Sequence, residues 1–439
     1  MKKPNIVFLT IDSLRSDKIY GKLKKSQIPN LEKIINKGLF FPNTITSTDA
    51  TDPGLGCIFT GTYPFNNGIT FYKNHKKANF FFNILKNNGY HLYSMLPNKA
   101  FFNTLSDSFD NSEKYEIDPY VLLYQGTGEK IIKTLKSKSL AEPWIYYIHI
   151  MDLHPTGGKF VFPERYQSQD YGSNDYEKTI SALDWWIGKF FENMDTSSTV
   201  FILTADHGDF IPESGKGIDD ISSIQKKLRP LKKFLPLGEK FWGSILAATR
   251  STVKKIRISK IKQNLNEFQL RTYYNRAEGH LFDEIIKVPL ILLMLGHKPA
   301  IFNEQISTLD ILPTLFELLQ INFLNDLDGQ SLLPLVNNLE WNEKSLYIES
   351  TSTSPEQKGK TIGVITPEYK YYRSKDNPKK IIALFDLKND PFEKNNLAKD
   401  LPQIVDSMEK ILIKLQKSDN YKENLKNIIK KKYSSLKLE

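Results

Sequence analysis

Apolar, β-branched residues gather into four short runs, at 5–10, 144–150, 199–204 and 288–295. Runs of this length without polar interruption read as strands buried on both faces. Helical spacing of apolar positions lies between them, at 28–37, 79–88 and 176–193. Strand alternating with helix predicts an α/β fold, a mostly parallel sheet flanked by helices. Three of the four runs lead straight into ionisable residues: the first into Asp12, the second into Asp152 and His154, the third into Asp206 and His207. Ligands of open α/β sheets bind beyond the carboxyl ends of the strands. The pattern therefore predicts one site assembled from distant parts of the chain. Shorter strand patterns at 362–365, 369–372 and 381–385, separated by turn residues, predict a small antiparallel sub-domain near the C-terminus. The expected organisation is a catalytic domain over 1–340, the sub-domain over 341–415, and a Lys-rich tail over 416–439.

Composition narrows the class. Of 439 residues, 40% are apolar and 25% charged, an ordinary globular balance that excludes a disordered or fibrous chain. A single cysteine, Cys57, excludes an internal disulfide framework and a multi-thiolate metal site. The opening apolar run is too short for a signal-peptide core, and Asp12 closes it. No stretch reaches the roughly 18 apolar residues of a membrane span. The expected location is the cytoplasm, with peripheral membrane contact allowed for.

The net charge is +10, from 60 Lys+Arg and 50 Asp+Glu. Residues 211–276 hold fifteen Lys/Arg against five Asp/Glu and so carry the whole excess. That concentration argues against a protein built to coat nucleic acid, and no nucleic-acid partner is expected. The segment reads as an insertion beside the site. It is a solvated helical face, a lid attracting an anionic substrate, or, through Trp, Phe and Leu interleaved with Lys and Arg over 226–262, a contact with an anionic membrane surface.

The candidate chemistry sits in five pieces. Asp12-Ser13-Leu14-Arg15 follows the first strand; Asp12 is a metal ligand, or the pair is a helix N-cap. Thr51-Asp52-Pro53-Gly54 can open a helix, where free N–H groups and the dipole stabilise an anion; a plain capping Thr is the alternative. Asp206-His207-Gly208 after a buried strand is a hard-metal signal, suited to Zn, Mn, Mg or Ca. His154 stands beside Asp152 and can protonate a leaving group or bind an anion, whereas His149 is assigned to packing within the sheet. His280, in Glu278-Gly279-His280, is a candidate ligand or substrate contact.

Taken in order, these pieces resemble the sulfatase family of the alkaline phosphatase superfamily. The match runs through Asp12-Ser13-Leu14-Arg15, Pro29-Asn30-Leu31 to Asn43, and Thr51 to Thr60-Gly61-Thr62-Tyr63-Pro64 and Gly68. It continues through Asp152-Leu153-His154-Pro155, Asp206-His207-Gly208 and Asp283 to Ile291. Ser307 to Pro313, Asp328 to Pro334 and Leu384 to Pro391 complete it, so that the resemblance covers about residues 4–400. It implies an alkaline-phosphatase-like fold and one divalent metal (Ca, Mn, Mg or Zn) held by Asp12, Thr51, Asp206 and His207. The one-residue spacing of Asp152 and His154 makes a second metal less expected. Thr51 falls at the nucleophile and His154 near the transferred group. Arg15, Lys99 and His280 are the expected substrate contacts, with Lys99 a stand-in for a family Lys and His280 beside Glu278, where the family has another.

The departures shape the expected activity. Family sulfatases carry Cys or Ser in a Cys/Ser-x-Pro-x-Arg motif, oxidised to formylglycine, and Thr51 cannot yield that aldehyde. The motif's Arg is Leu55, and the second Asp of the first strand is Ser13. Superfamily members with a Thr nucleophile are mostly phosphoryl-transfer enzymes. The expectation is therefore phosphoester hydrolysis or transfer through a covalent Thr51 intermediate. Sulfate-ester hydrolysis without formylglycine is the alternative, as is a silent member binding an anionic glycan or lipid. A lipid head group or glycan phosphate suits the basic insertion.

Overall fold

The computed structural model describes residues 3–116, 122–137, 140–154, 160–211, 271, 278–322, 326–351 and 361–417. Nearly all of the basic insertion, including 226–262, and the tail beyond 417 lie outside the described residues.

The strands are β1 (Asn5–Ile11), β2 (Leu39–Ile45), β3 (His91–Pro97), β4 (Asn111–Tyr115), β5 (Trp144–Ile150), β6 (Thr199–Thr204), β7 (Lys287–Leu293), β8 (Ala300–Ile301) and β9 (Ile306–Ser307), followed by β10 (Leu346–Glu349), β11 (Thr361–Ile365), β12 (Tyr369–Ser374) and β13 (Ile381–Asp386). The first nine form one sheet in the order β4-β3-β5-β1-β6-β7-β2-β8, with β9 also pairing β2. Strands β4, β3, β5, β1 and β6 are mutually parallel, and β7 runs antiparallel to both β6 and β2. The expected mostly parallel sheet flanked by helices is present. The four runs read from the sequence are β1, β5, β6 and β7.

Strand β1 is buried at every position. Its alternate residues feed two cores, as a period of two requires. Ile6 and Phe8 pack with Leu55, Phe59 and Phe81 on one face, while Val7, Leu9 and Ile11 pack with Leu31, Ile34 and Leu183 on the other. Each such side chain contributes about 1.5–3 kcal/mol when fully buried. Helix α1 (Pro29–Ile35) and the long helix Asp175–Glu192 cover the second face; helix α2 (Thr51–Thr60) covers the first. Helix α2 starts with Pro53 in its first turn and stops at Gly61, whose φ of 63° supplies the left-handed C-terminal turn.

Strands β10–β13 form a separate antiparallel sheet, as the C-terminal pattern predicts. It docks where the turn into α2 begins. Glu349 N–H donates to the Ser47 carbonyl at 2.8 Å, and Thr351 N–H donates to Asp49 Oδ1 at 2.7 Å. The second sheet thus holds residues 47–49, which lead into α2.

Candidate active site

Three adjacent strands, β5, β1 and β6, end at the same level. Thr10 lies opposite His149 on one side and Thr204 on the other. Asp12 continues β1 by one residue, its N–H donating to the Ile150 carbonyl at 2.9 Å. Asp206 lies two residues past β6. Ser13 joins the two acids: its N–H donates to Asp206 Oδ1 at 3.2 Å and its hydroxyl to Asp12 Oδ1 at 2.7 Å. Ser13 adopts φ 61° to do so. A left-handed non-glycine residue costs about 1–3 kcal/mol and persists where the surroundings dictate it.

Thr51 is the first residue of α2, and the preceding Ala50 offers no side-chain cap. Its hydroxyl is turned to the acids instead. Oγ1 lies 3.0 Å from Asp12 Oδ2 and 3.3 Å from His207 Nε2. His207 Nδ1–H donates to the Gly208 carbonyl at 2.7 Å. That fixes the tautomer and leaves the Nε2 lone pair facing Thr51.

The turn is set against the acid loop by an absent side chain. A Cβ at Gly54 would meet the Asp206 carbonyl at 2.7 Å. Gly54→Ala is expected to push α2 away from the loop, lowering stability by roughly 1–3 kcal/mol and turnover along with it. Thermal melts and kcat of the variant check this; an unchanged kcat would mean that the close approach does not matter.

Asp12, His149, Asp206 and His207 are all at most 1% exposed. Burial pushes Asp206 up to about 7, with the negative charge of Asp12 adding to it. Burial pushes Asp12 up too, but the imidazoles of His149, His207 and His154 around it hold it well below its ordinary value. Asp206 Oδ2 and His149 Nε2 have no hydrogen-bond partner among the described residues. Asp12, His149 and Asp206 each offer a ligand atom, all within 4.8 Å of one another. Two buried carboxylates beside an imidazole, with atoms left unpaired, fit a divalent cation.

The structure brings together Asp12, Thr51, Asp206 and His207, as the sequence reading groups them. His154 stands near enough to act on the charge of Asp12. Lys99, at the start of helix Ala100–Leu105, acts likewise on Asp52. Arg15 and His280 are placed elsewhere. Arg15 spends Nε and one terminal nitrogen on Asp17, at 2.8 and 2.7 Å, and the other on the Asp209 carbonyl at 3.3 Å. It ties the two acid-bearing loops together from behind. His280 stacks on Phe282 and lines a cavity with Arg271, Tyr372 and Glu393, none of which belongs to the Thr51 cluster.

Sequence reasoning missed three residues. His149 packs in the sheet, its ring 4.5 Å from Phe102, yet its Nε2 is 3.8 Å from Asp12 Oδ2. Strand alternation could have shown it, since Tyr147 and His149 share a face. Asp52, next to Thr51, pairs with His75 at 3.4 Å. Burial pushes Asp52 up to about 7, against the pull of Lys99 and with repulsion from Asp206 and Asp12. No spacing rule connects Asp52 to His75, because a loop brings them together.

The sulfatase family model matches residues 4–321, and a model of the C-terminal part of N-sulphoglucosamine sulphohydrolase matches residues 272–418. The chain belongs to the sulfatase family. Among its relatives is arylsulfatase K of Gallus gallus, 24% identical over 70% of this chain and 58% of that protein. This sulfatase-family chain therefore matches little more than half of that relative's length. Choline-sulfatase of Rhizobium meliloti is 32% identical over 28% of this chain and 23% of its own. A sulfatase structure from Bacteroides thetaiotaomicron shares the fold with a TM-score of 0.66 at 16% identity, covering 96% of this chain and 94% of the other. So does the phosphonate monoester hydrolase of Agrobacterium radiobacter, with a TM-score of 0.65 at 14% identity over 95% of this chain and 96% of that one. No helix among the described residues is long and apolar enough to cross a membrane.

Proposed function

We propose that this sulfatase-family protein is a metal-dependent hydrolase of an anionic ester, with Thr51 as its nucleophile. The observation carrying the proposal is the Thr51 hydroxyl, turned to Asp12 and His207 and not used as a helix cap. The names of the relatives favour a sulfuric ester, and that is the first reading. Thr51 itself favours a second, phosphoester cleavage or transfer, because an unmodified alcohol must form and then release a covalent ester.

Asp12, His149, Asp206 and His207 would hold the cation, with the Thr51 hydroxyl beside them. When bound, a divalent cation lowers the pKa of a neighbouring hydroxyl and offsets charge on the transferred group. The remaining steps belong to the chain. The Oγ1 proton passes to Asp12 Oδ2, to which the hydroxyl already donates at 3.0 Å. Oγ1 forms a bond to sulfur or phosphorus as the ester oxygen leaves, and His154 supplies the proton that the departing alcohol needs. The N–H groups at the start of α2 face the developing negative charge. Water then attacks the Thr51 ester and restores the hydroxyl. A glycan or a lipid head group is the alcohol we propose.

The test is a panel of an aryl sulfate, an aryl phosphate and an aryl phosphodiester, given to protein reconstituted in turn with Ca, Mn, Mg and Zn. Faster sulfate turnover would carry the first reading and faster phosphorus-ester turnover the second. No turnover with metal bound would leave neither standing.

A further inference from the structure

The residue after the nucleophile is a carboxylate that the proposed chemistry does not use. Asp52 occupies the first turn of α2 beside Thr51, with 14% of its side chain exposed. It is held in place from a second loop. His75 Nε2 lies 3.4 Å from Asp52 Oδ2 and 2.9 Å from the Thr70 carbonyl. Two acceptors facing one ring nitrogen assign the proton to Nε2. The His75 ring is fixed in turn by an edge contact with Phe101, centroids 5.3 Å apart. From a third loop, Lys99 acts on Asp52 with its positive charge. Leu55, one turn along the same helix, is fully buried and brings no cation to the site.

A second negative charge next to an attacking oxygen has a predictable cost. It repels the transferred group in proportion to that group's charge, and it offsets the positive charge that Lys99 brings to the site. Sulfate monoesters and phosphodiesters carry one negative charge at the transferred group. Phosphate monoesters carry two above neutral pH. We propose that Asp52, anchored by His75, is a specificity-determining residue that makes this site select monoanionic esters over dianionic ones. The inference rests on Thr51 marking the reacting centre and narrows the substrate to a sulfate monoester or a phosphodiester.

The test uses the full-length, metal-reconstituted protein and its Asp52→Asn and Asp52→Glu variants. Three substrates share one aryl leaving group: the sulfate, the methyl phosphodiester and the phosphate monoester. The assay runs at a pH where the last is dianionic and aspartate ionised. The readout is kcat/KM for the dianion divided by that for the best monoanion, so intrinsic reactivity cancels between variants. Asp52→Asn is expected to raise this ratio about tenfold to a hundredfold, and Asp52→Glu to bring it back towards the original. A ratio that shifts by less than about threefold overturns the proposal, even if every rate falls, since a structural role would lower all three together.

Binding of methyl sulfate and methyl phosphate to Thr51→Ala, with and without Asp52→Asn, gives the same ratio without turnover. A preference for methyl sulfate that Asp52→Asn removes supports the selectivity even if the catalytic reading fails. No preference, or one that Asp52→Asn leaves alone, overturns it.

Discussion

Thr51→Ala is expected to lose about 10⁴-fold or more in kcat/KM, equivalent to roughly 5.5 kcal/mol of barrier. The loss should fall on kcat, because the hydroxyl acts in bond formation and the substrate's remaining contacts stay. Metal content should change little, since Asp12, His149 and Asp206 offer a ligand set without Thr51. Stability should change little as well, because the hydroxyl caps no helix end. Thr51→Ser keeps the oxygen and should keep part of the activity. The measurements are steady-state kinetics on the best panel substrate, elemental analysis and a thermal melt. An alanine variant as active as the parent would move the nucleophile elsewhere. A variant that loses its metal would make Thr51 a ligand whose catalytic share is not separable.

The second large effect is on the coupling of metal, proton and stability. Without metal, burial first and then Asp12 keep Asp206 protonated up to about 7. A folded value above the unfolded one gives a contribution that is complete below the unfolded value, near 4, and lost as pH rises through about 7. Asp152 shifts the same way, pushed up to about 7 by burial. Asp12 is held low, so its contribution disappears only below its ordinary value and does not enter this window. Metal-free protein should therefore melt at progressively lower temperature from pH 4 to pH 7. A divalent cation needs both carboxylates deprotonated, so protons compete with it. At a hundredfold excess over its Kd, the cation should add about 2.7 kcal/mol. The same concentration should add much less at pH 5. Thermal shifts with chelator and with each metal at pH 5 and pH 8 check this, with Asp206→Asn as the control that removes the metal trend and weakens the metal-free one, Asp152 keeping its share. Metal stabilisation that is equal or greater at pH 5 would count against a carboxylate-held cation.

The parts of the fold visible in the sequence are those with a one-dimensional signature. Strands β1, β5 and β6 are uninterrupted apolar runs because they are buried on both faces. Strand β2 was hidden by Pro42 and Asn43 in its middle, tolerated at a point where its pairing with β7 shifts register. Strand β3 begins on the exposed His91 and has Ser94 at its centre, so its polarity reads as a loop. The central site was legible because three strands carry acids or histidines at their ends. Its rim was not. His149 was masked by apolar neighbours that made it look like filler. Arg15 lies in the motif expected to bind substrate, but Asp17, two residues on, captures it with two hydrogen bonds. The pairing of Asp52 with His75 depends on the fold of the loop between Thr70 and His75, which no periodicity encodes.

Three neighbouring parallel strands drawn from residues 5–11, 144–150 and 199–204 also dictate when the site can exist during folding. Asp12 and Asp206 are linked through Ser13 across a sequence separation of 193 residues, and β5 must enter on the other side of β1 before His149 completes the group. Contacts of such long range form late, after the loop-closure entropy of the intervening chain has been overcome. A cation held by these residues would therefore meet its ligands only in a chain whose central sheet is already assembled. It would act as a lock on the finished fold, slowing unfolding, and give little help to the nucleus from which folding starts.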